Sequence, residues 1–468
     1  MTDLILLLPE LVLVFWAVAL ILLARHVRHA RSAAAGVVIA AIAAIGVGWV
    51  FSGDGPPTAF DGTIAGDGYA QFFKLLIAST LALAALLSVR HVDAERVRPA
   101  EFFALLLLAS TGMMLAASAL DLLTLYLGLE LMSLCSYILV GITRERPTAN
   151  EAAIKYFLLG SFASALLLYG IALAYGVTGS TSYAAMASAL SERTLAQSPL
   201  LLVSIALLAG GLAFKIAAVP FHAWAPDAYQ GATAPVAAFL AAGSKAAGLA
   251  ALGRVSLVAF APQQHIWAVI LMGLAALSMA IGSLLAVSQS DVKRLLAYSS
   301  VAHAGYALLG LVAGTPDGVS ATMTYAFVYA FMTLGAFGVV IGLGERGEGL
   351  AGYRGLAFIS PVTAGLMLLF LLSLTGIPPT AGFAAKFAVI LSIVREGHVA
   401  LAVLAVACSV VSAYFYLRIA VLMYMTEPAE PAPGRFPAAV SAALVVAAVV
   451  TVLGGIFPGT FAAWTTPP

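Results

Sequence analysis

Residues 199–222 read PLLLVSIALLAGGLAFKIAAVPFH, and Lys215 is the one charged residue in this stretch. A run of about 20 apolar residues is long enough to cross the hydrocarbon core of a bilayer as a helix. Proline lacks the backbone N–H that an interior helical residue donates, so Pro220 interrupts the helix. The stretch therefore predicts a broken membrane-spanning helix that carries a lysine beside the break.

The composition of the whole chain indicates that lipid is its main solvent. Of its 468 residues, 62% are apolar and 9% are charged, and the mean hydropathy is +1.05. Soluble domains carry about 25% charged residues. The net charge of +1 gives no reason to expect nucleic acid as a partner. Cys135 and Cys408 lie in apolar segments, so we expect buried hydrophobic residues and neither a disulfide framework nor an iron–sulfur cluster.

Fourteen apolar segments have the length of a membrane span. We predict them at 4–24, 33–51, 69–90, 101–119, 121–142, 152–176, 199–222, 233–256, 265–287, 293–314, 319–344, 357–394, 399–425 and 436–459. The twelfth is too long for one straight crossing, because about 38 helical residues extend over roughly 57 Å. It contains Thr375-Gly376-Ile377-Pro378-Pro379, where we expect the helix to break. Basic residues follow the first segment and none precede it, which predicts a retained span.

Basic residues in the connections predict the orientation of the chain. The odd-numbered connections carry Arg25, Arg28, Arg31, Arg90, Arg96, Arg98, Arg144, Arg146, Lys293, Arg294, Arg346, Arg354 and Arg435. The even-numbered connections carry little beyond Arg193, Arg395, Asp54, Asp61, Asp67 and Asp317. By the positive-inside rule, the odd connections are cytoplasmic and both termini face outward.

Lysine and arginine are distributed differently along the chain. Lys293 is assigned to a cytoplasmic loop, while the other five lysines fall within apolar segments. Most arginines lie in loops or near span ends, and Arg418 is the one that lies deeper. Arginine stays protonated, whereas a desolvated lysine can exchange a proton. Lysine is therefore placed where proton transfer can occur.

Three lysines and one carboxylate are the strongest candidates for a proton path. Lys245 lies about twelve residues into span 8, and Glu130 lies near the centre of span 5. Lys215 and Lys386 lie beside the breaks in spans 7 and 12, and interrupted helices recur at ion sites in transporters. We predict that Glu130 pairs with a lysine of a neighbouring helix. A static buried ion pair is the alternative for each of these residues.

Five other polar residues are weaker candidates, and each has a structural alternative. His303, in the middle of span 10, is either a proton relay or a hydrogen-bonded core residue. Lys155 either relays protons or extends to the cytoplasmic surface. His222, near the cytoplasmic mouth, either passes protons inward or has no part in transfer. Asp227 is expected to be a cap or loop contact, and Lys74 is expected at the interface.

Spans 4–8 and 9–13 form two consecutive groups of five helices. An odd number of helices per group inverts the second group relative to the first. The fourth span of each combines a proline break with a lysine, and the second carries Glu130 or His303. We predict two half-channels that meet near the membrane midplane at Lys245. The resulting divisions are 1–100 for three N-terminal spans, 101–256 and 265–425 for the two repeats, and 436–468 for the C-terminal helix and tail.

Several long motifs resemble a known family. Residues 214–228, FKIAAVPFHAWAPDA, and 291–300, DVKRLLAYSS, are similar to signatures of the antiporter-like subunits of respiratory complex I and of Mrp-type antiporters. Residues 155–162, KYFLLGSF, 300–306, SVAHAGY, and 376–383, GIPPTAGF, together with Lys386, resemble the subunit N type of bacterial NADH–quinone oxidoreductase most. The resemblance covers essentially the whole chain.

The resemblance implies a proton-translocating membrane-arm subunit with fourteen transmembrane helices and two inverted five-helix repeats. Its partners would be other membrane-arm subunits, especially those of the M type and the K or J type. No cofactor or metal is expected on this chain, because NADH, FMN, iron–sulfur clusters and quinone belong to other subunits. The location would be the bacterial cytoplasmic (inner) membrane, with both termini periplasmic. The implied relay contains Glu130, Lys215, Lys245 and Lys386, with His303, His222 and Lys155 as further members.

Three alternatives remain open at this point. A subunit of an Mrp-type cation/proton antiporter would share the lysine path, and burial and residue type alone do not exclude sodium as the ion. A membrane-bound hydrogenase or related module reuses the same kind of subunit. A purely structural membrane scaffold would leave the deep lysines unexplained.

Overall fold

The computed structural model of the protein describes residues 3–27, 29–50, 58–95, 97–428, 431, 434–462 and 464–468. Arg28, Arg96 and Asp54, which contribute to the predicted orientation, lie outside the described residues. Helices dominate the described part, which also has one antiparallel pair of two-residue strands, Thr58–Ala59 and Ile64–Ala65. The prediction of an all-α polytopic membrane protein is confirmed.

Twelve helical segments of the described part are long and apolar enough to cross a membrane. In chain order they are Asp3–Leu22, Ala30–Val50, Gly68–Ala94, Pro99–Ser118, Leu122–Val140, Pro147–Thr178, Ala234–Ala259, Ala261–Val287, Val292–Ala313, Pro316–Glu348, Val399–Tyr424 and Ala438–Ile456. These segments are spans 1–6, 8–11, 13 and 14 of the sequence prediction.

Spans 7 and 12 are each divided into two shorter helices, which is why a count by length gives twelve and not fourteen. Span 7 consists of Pro199–Lys215 and Trp224–Gly231, and span 12 consists of Pro361–Thr375 and Ala381–Arg395. Both breaks fall at the prolines that predict them. Short helices in the connections are Tyr183–Leu190, Arg193–Ala196, Leu356–Ile359 and Pro458–Ala462.

Span 8 departs from a regular α-helix in a way that the sequence did not indicate. Its α-helical parts, Ala234–Phe239 and Lys245–Arg254, are joined by a π-helical turn at Leu240–Ser244. A second π-helical turn follows at Val255–Ala259. Such wide turns are rare and are frequent at functional sites. Lys245 is the first residue after the first of them, so the wide turn contributes to the direction of its side chain.

The helices of the two predicted repeats pack in the same order. Span 4 packs against span 5, span 5 against span 6, span 6 against both halves of span 7, and span 8 returns to span 4. The same order holds for spans 9–13, where span 13 returns to span 9. Inverted repeats require this match. Spans 8, 10 and 11 form the buried centre. The exact divisions at 101–256 and 265–425 stay a prediction.

An ion pair joins the three N-terminal spans to the first repeat. The Asp67 carboxylate accepts hydrogen bonds from the Arg254 guanidinium at 2.5 and 2.8 Å, and it caps span 3 by accepting from the Ala70 N–H at 2.8 Å. Arg254 is 1% exposed and also donates to the Ala117 carbonyl. Burial raises the pKa of Asp67, but the Arg254 hydrogen bonds and charge outweigh this effect and hold the pKa below its ordinary value.

Replacing Asp67 by asparagine is expected to destabilise the protein by about 2 kcal/mol, because the buried Arg254 loses its counter-ion while the helix cap is retained. Thermal unfolding of the purified protein would report this as a lower Tm. The control is Glu192→Gln, which changes an exposed carboxylate. Equal Tm values for the two variants would contradict the assignment.

Candidate functional site

Lys215 is the last residue of the first half of span 7, where regular helical hydrogen bonding ends. Ala217 has φ 55°, a left-handed conformation that turns the chain away from the helix axis. The indole N–H of Trp224 donates to the Phe214 carbonyl at 2.9 Å and so satisfies a carbonyl near the break. The Lys215 ammonium therefore lies at the negative end of a half-helix, where a cation is favoured.

Two serines contact the Lys215 ammonium, and one of them, Ser164, also binds Glu130. The Lys215 ammonium donates to Ser133 Oγ at 2.7 Å and lies 3.5 Å from Ser164 Oγ. The Ser164 hydroxyl donates to Glu130 Oε1, which is 3.7 Å from the Lys215 Nζ atom. Spans 5, 6 and 7 thus contribute one polar network. The predicted pairing of Glu130 with a lysine of a neighbouring helix is present, but hydroxyl groups bridge the two charges.

Replacing Ser133 by alanine is expected to slow proton pumping about threefold, since Lys215 loses its shortest contact and can move towards Glu130 into a tighter ion pair. The measurement is the initial rate of proton transport by the purified protein, reconstituted with its native partners in lipid vesicles. Ser136→Ala is the matched control, because Ser136 is a buried serine of the same helix that bonds its own helix backbone. Equal rates for both variants would remove Ser133 from the network.

Lys245 is 2% exposed and donates to the backbone carbonyl of Ser300 on span 10. The ion pairs found among the described residues do not include Lys245. Gly248, one turn further along span 8, packs against the end of the half-helix that carries Lys215. A Cβ atom at Gly248 would lie 2.6 Å from Ile216 Cγ2 and 3.5 Å from the Lys215 carbonyl carbon. Lys245 is therefore close to the Lys215 network without contacting a carboxylate.

His303 lies in a cluster of tyrosines between Lys245 and Lys386. Its Nδ1 atom is 2.6 Å from the Tyr325 hydroxyl, and its Nε2 atom is 3.3 Å from the Tyr416 hydroxyl. The imidazole is within electrostatic range of both lysines. A histidine held between two hydroxyl groups can accept a proton on one ring nitrogen and release one from the other.

Lys386 binds the carbonyl groups that the break in span 12 leaves free. Its ammonium donates to the Leu374 and Thr375 carbonyls at 3.0 and 2.9 Å and to Ser409 Oγ at 3.2 Å. It also lies 4.6 Å from the centre of the Tyr306 ring, within the range of a cation–π interaction. Gly376, with φ 88°, makes the turn that ends the first half-helix.

The weaker candidates occupy different surroundings. His222 lies half-buried in the break of span 7, and its Nδ1 atom has no hydrogen-bond partner in the described part of the chain. Lys155 is 47% exposed and pairs with Glu151 at 2.7 Å and Asp227 at 3.3 Å. Asp227 also binds Arg294 at 2.7 Å. The structure thus places Lys155 in a surface ion-pair cluster and not among the buried lysines; its part in the relay stays a prediction.

Two lysines lie in places that the sequence did not indicate. Lys74, expected at the interface, is buried and pairs with Glu10 at 2.7 Å. Lys293, assigned to a loop, is buried in the first turn of span 10 and pairs with Glu348 at 2.8 Å. The loop assignment of Lys293 was wrong, and the burial of Lys74 was not predicted, for the same reason. Each partner lies more than fifty residues away in the chain, so its position becomes visible once the helices are packed.

The described residues contain no group of three or more His, Cys, Asp or Glu side chains that could hold a metal ion. Cys135 and Cys408 are buried free thiols.

The polar groups that sequence reasoning missed are the hydroxyls around the lysines. The spacing of Ser133, three residues after Glu130 on one helix face, was the available signal. The tyrosines of the His303 cluster gave no comparable signal.

Comparison with known proteins gives consistent matches. Residues 119–412 match the family described as NADH:quinone oxidoreductase/Mrp antiporter, TM. NADH-quinone oxidoreductase subunit N 2 of Rhizobium meliloti is 44% identical over 97% of this chain and 95% of its own length. A chain in the structure of respiratory complex I from Thermus thermophilus with bound aureothin is 36% identical, with TM-score 0.84 over 97% of this chain and 99% of that one.

A chain in the structure of the Mrp complex from Dietzia sp. DQ12-45-1b has the same fold. Its TM-score is 0.86 over 97% of this chain and 95% of that chain, at 23% sequence identity. At that identity the likeness concerns the fold alone.

Proposed function

Since this chain belongs to the NADH:quinone oxidoreductase/Mrp antiporter family and, within it, to the relatives named subunit N, we infer that it is a proton-translocating membrane-arm subunit of NADH:quinone oxidoreductase. The resemblance indicated by the motifs is confirmed. The chain is thus part of an enzyme whose reaction is coupled to ion transport. The Mrp alternative has weaker support, because that likeness is one of fold.

The observation that carries the proposed mechanism is the placement of three lysines in the protein interior. Lys215, Lys245 and Lys386 are each between 2% and 4% exposed. The Lys215 ammonium contacts serine hydroxyls, the Lys245 ammonium contacts a carbonyl, and the Lys386 ammonium contacts both kinds of group. The nearest carboxylate to Lys215 is 3.7 Å away. Isolated charge in an apolar interior is costly, and proton release to a water relieves that cost. We propose that protons cross the chain through these lysines.

The proposed direction of transfer follows the polar groups in the membrane. Lys215 passes its proton through bound water to Lys245. From Lys245 the route continues through His303, between its tyrosines, to Lys386, which releases the proton outward. After each transfer the donor is reprotonated from the preceding group, so every residue returns to its starting state. Lys155 and His222 are proposed as further members near the cytoplasmic side.

Coupling to chemistry elsewhere in the complex is proposed to be electrostatic. A change of charge on a neighbouring subunit would move Glu130, which is the most exposed member of the network at 23%. Ser164 would transmit the shift, because it binds the Glu130 carboxylate and lies near the Lys215 ammonium. Interactions between charges are strong in a low-dielectric interior. Moving Glu130 towards or away from Lys215 would therefore retain or release the lysine proton.

The finer assignments are also part of the proposal. The neighbours are M-type and K-type or J-type membrane-arm subunits, and NADH, FMN, iron–sulfur clusters and quinone are bound by other chains of the complex. The membrane is the bacterial cytoplasmic membrane, and both termini are periplasmic. The basic residues of the odd-numbered connections support this orientation.

Purification of the chain with its native partners tests the proposed function. The complex is extracted in mild detergent through a tag on this chain, and its NADH:quinone oxidoreductase activity and co-purifying chains are determined. We expect flavin- and iron–sulfur-containing chains and NADH-driven acidification of proteoliposomes independent of sodium. Partners that lack redox centres, with exchange that depends on sodium, would replace the proposal by the Mrp-type antiporter.

A further inference from the structure

A polar cavity opens on the side that the basic connections assign to the cytoplasm. It lies between the end of span 3, the start of span 8 and the end of span 11. Its polar lining includes Arg90, His91, Glu95, Arg146, Thr233 and Glu348. The mixture of acidic and basic side chains makes it suited to water and protons and unsuited to an apolar ligand.

An ion pair connects this cavity to the protein interior. Glu348 lines the cavity and is 38% exposed, whereas its partner Lys293 is 3% exposed. The Lys293 ammonium also donates to the Ala232 carbonyl at 3.2 Å. One end of the pair therefore meets cytoplasmic water, and the other end lies under the start of span 8.

Beyond Lys293, four buried hydroxyl groups make no close, well-directed hydrogen bond within the described chain, although Tyr229 approaches Ser300 and Tyr329 approaches Ser300 and Thr333. They belong to Thr233, Tyr229, Ser300 and Thr333. Thr233 is 2% exposed and lines the cavity. Buried polar groups are nearly always hydrogen-bonded, and ordered water supplies the bond where the protein does not.

These hydroxyl groups follow the helix faces that lead from the cavity to Lys245. Ser300 is seven residues, or two turns, after Lys293 on the same face of span 10. Thr333 is likewise two turns from Val340 on span 11, and Val340 lines the cavity. The backbone carbonyl of Ser300 accepts the hydrogen bond from Lys245. The series of unsatisfied groups thus ends at the central lysine.

From this arrangement we infer that the cavity is the proton entrance of Lys245, and that Glu348 and Lys293 load a water-filled route past Thr233, Ser300 and Thr333. The inference rests on the proposed function, because it requires Lys245 to exchange protons. It adds a second and faster proton supply to the proposed relay. Protons reach Lys245 from the cavity as well as from Lys215, and the Glu130–Lys215 network also acts on this route through its charge.

The proton transfers through the inferred entrance balance. A proton from cytoplasmic water binds the Glu348 carboxylate and weakens its ion pair with Lys293. Lys293 then gives a proton to the water beside Thr233 and is reprotonated by Glu348. The hydroxyl-bound waters transfer a proton to Lys245 after Lys245 has released its own. Over the full cycle every group, including Lys245, returns to its starting protonation state, and one proton has passed from cytoplasmic water through Lys245 to the onward route.

The first test removes hydroxyl groups without changing side-chain shape. The double variant Ser300→Ala/Thr333→Val is expected to lower the initial rate of NADH-driven pumping in proteoliposomes about tenfold. Ser110→Ala/Thr451→Val is the matched control, because Ser110 and Thr451 are also buried hydroxyl residues but lie on spans 4 and 14. Glu348→Gln should lower the rate similarly, while Glu101→Gln, at another exposed carboxylate, should not.

A second experiment measures whether water reaches the cavity and does not depend on the rate of pumping. Thr233→Cys in the assembled complex should react with a membrane-impermeant thiol reagent in inside-out vesicles and not in right-side-out vesicles. Thr451→Cys should react in neither, and the native Cys135 and Cys408 are buried. If Thr233→Cys is not labelled from the cytoplasmic side, the inferred proton entrance is contradicted.

The variant Lys245→Ala, measured in the same preparation, distinguishes a failure of the proposed proton entrance from a failure of the proposed function. If that variant loses pumping while the double hydroxyl variant pumps at the wild-type rate, the entrance is wrong and the proposed function stands. If Lys245→Ala pumps normally, the proposed function fails and the entrance fails with it. Loss of pumping in both, with the controls active, supports both claims.

Discussion

Replacing Lys245 by alanine is expected to abolish proton pumping through this subunit while the complex remains assembled. The side chain is enclosed by helices, and its ammonium contacts a backbone carbonyl of span 10. Loss of a positioned proton donor slows transfer by about a hundredfold or more. Because an alanine removes an isolated buried charge, it should not destabilise the fold by leaving a counter-ion unpaired.

The measurement is the ratio of protons pumped to NADH oxidised in proteoliposomes, with assembly checked by gel filtration. Arg395→Ala serves as the control, since that cation is exposed and pairs with Asp317 at the surface. We expect at most a small change for this control. A wild-type ratio for Lys245→Ala, at full assembly, would exclude Lys245 from the path.

Replacing Lys386 by methionine is expected to have the second largest effect. Methionine has a similar length and no charge, so it occupies the space but cannot donate to the Leu374 and Thr375 carbonyls. The Thr375 carbonyl keeps the hydrogen bond from the Ser409 hydroxyl at 3.2 Å, but the Leu374 carbonyl loses the Lys386 bond, and a buried carbonyl without a partner costs about 1–3 kcal/mol unless water enters. We therefore expect loss of pumping, together with a lower Tm.

The variant Ser409→Ala separates the effect on pumping from the effect on stability at this site. It removes one contact of the Lys386 ammonium, at 3.2 Å, and leaves the contacts to the two carbonyl groups. Pumping should fall by a small factor, and the Tm should change little. If Lys386→Met lowers the Tm but pumps at the wild-type ratio, Lys386 is a structural cap of the half-helix and not a relay.

The breaks in spans 7 and 12 could be predicted because proline acts locally. Pro220 and the Pro378-Pro379 pair cannot complete a helical hydrogen-bond pattern wherever they lie in space. Apolar segment lengths likewise predict the crossings, since bilayer thickness sets a minimum length. Lys215, Lys245 and Lys386 were identified for a related reason: a charge within an apolar run is unusual regardless of what surrounds it.

The surroundings of each lysine could not be predicted, because they depend on helix packing. Ser164 approaches Glu130 from span 6, and Ser409 approaches Lys386 from span 13. Serine is common in membrane helices, so neither residue stands out in the sequence. The π-helical turn before Lys245 was missed for a different reason. Its residues, Leu240–Ser244, read LAAGS, a sequence that is equally compatible with an ordinary helix.

The pairs Lys74–Glu10 and Lys293–Glu348 illustrate the limit of inferring depth from position in a segment. Both lysines lie near the ends of their spans, where extension to the surface is the ordinary expectation. Packing of neighbouring helices covers them instead. The Lys293 pair thereby becomes the inner end of the polar cavity from which we infer a proton entrance, a feature that charge patterning alone did not reveal.

The central claim is that Lys245 acts by exchanging a proton and not by carrying a fixed positive charge. Replacement by arginine tests it most directly, because arginine keeps the charge and can donate to the Ser300 carbonyl but does not release its proton. We predict that Lys245→Arg, in assembled complex, pumps as few protons per NADH as Lys245→Ala. A ratio equal to that of the wild type would contradict the account.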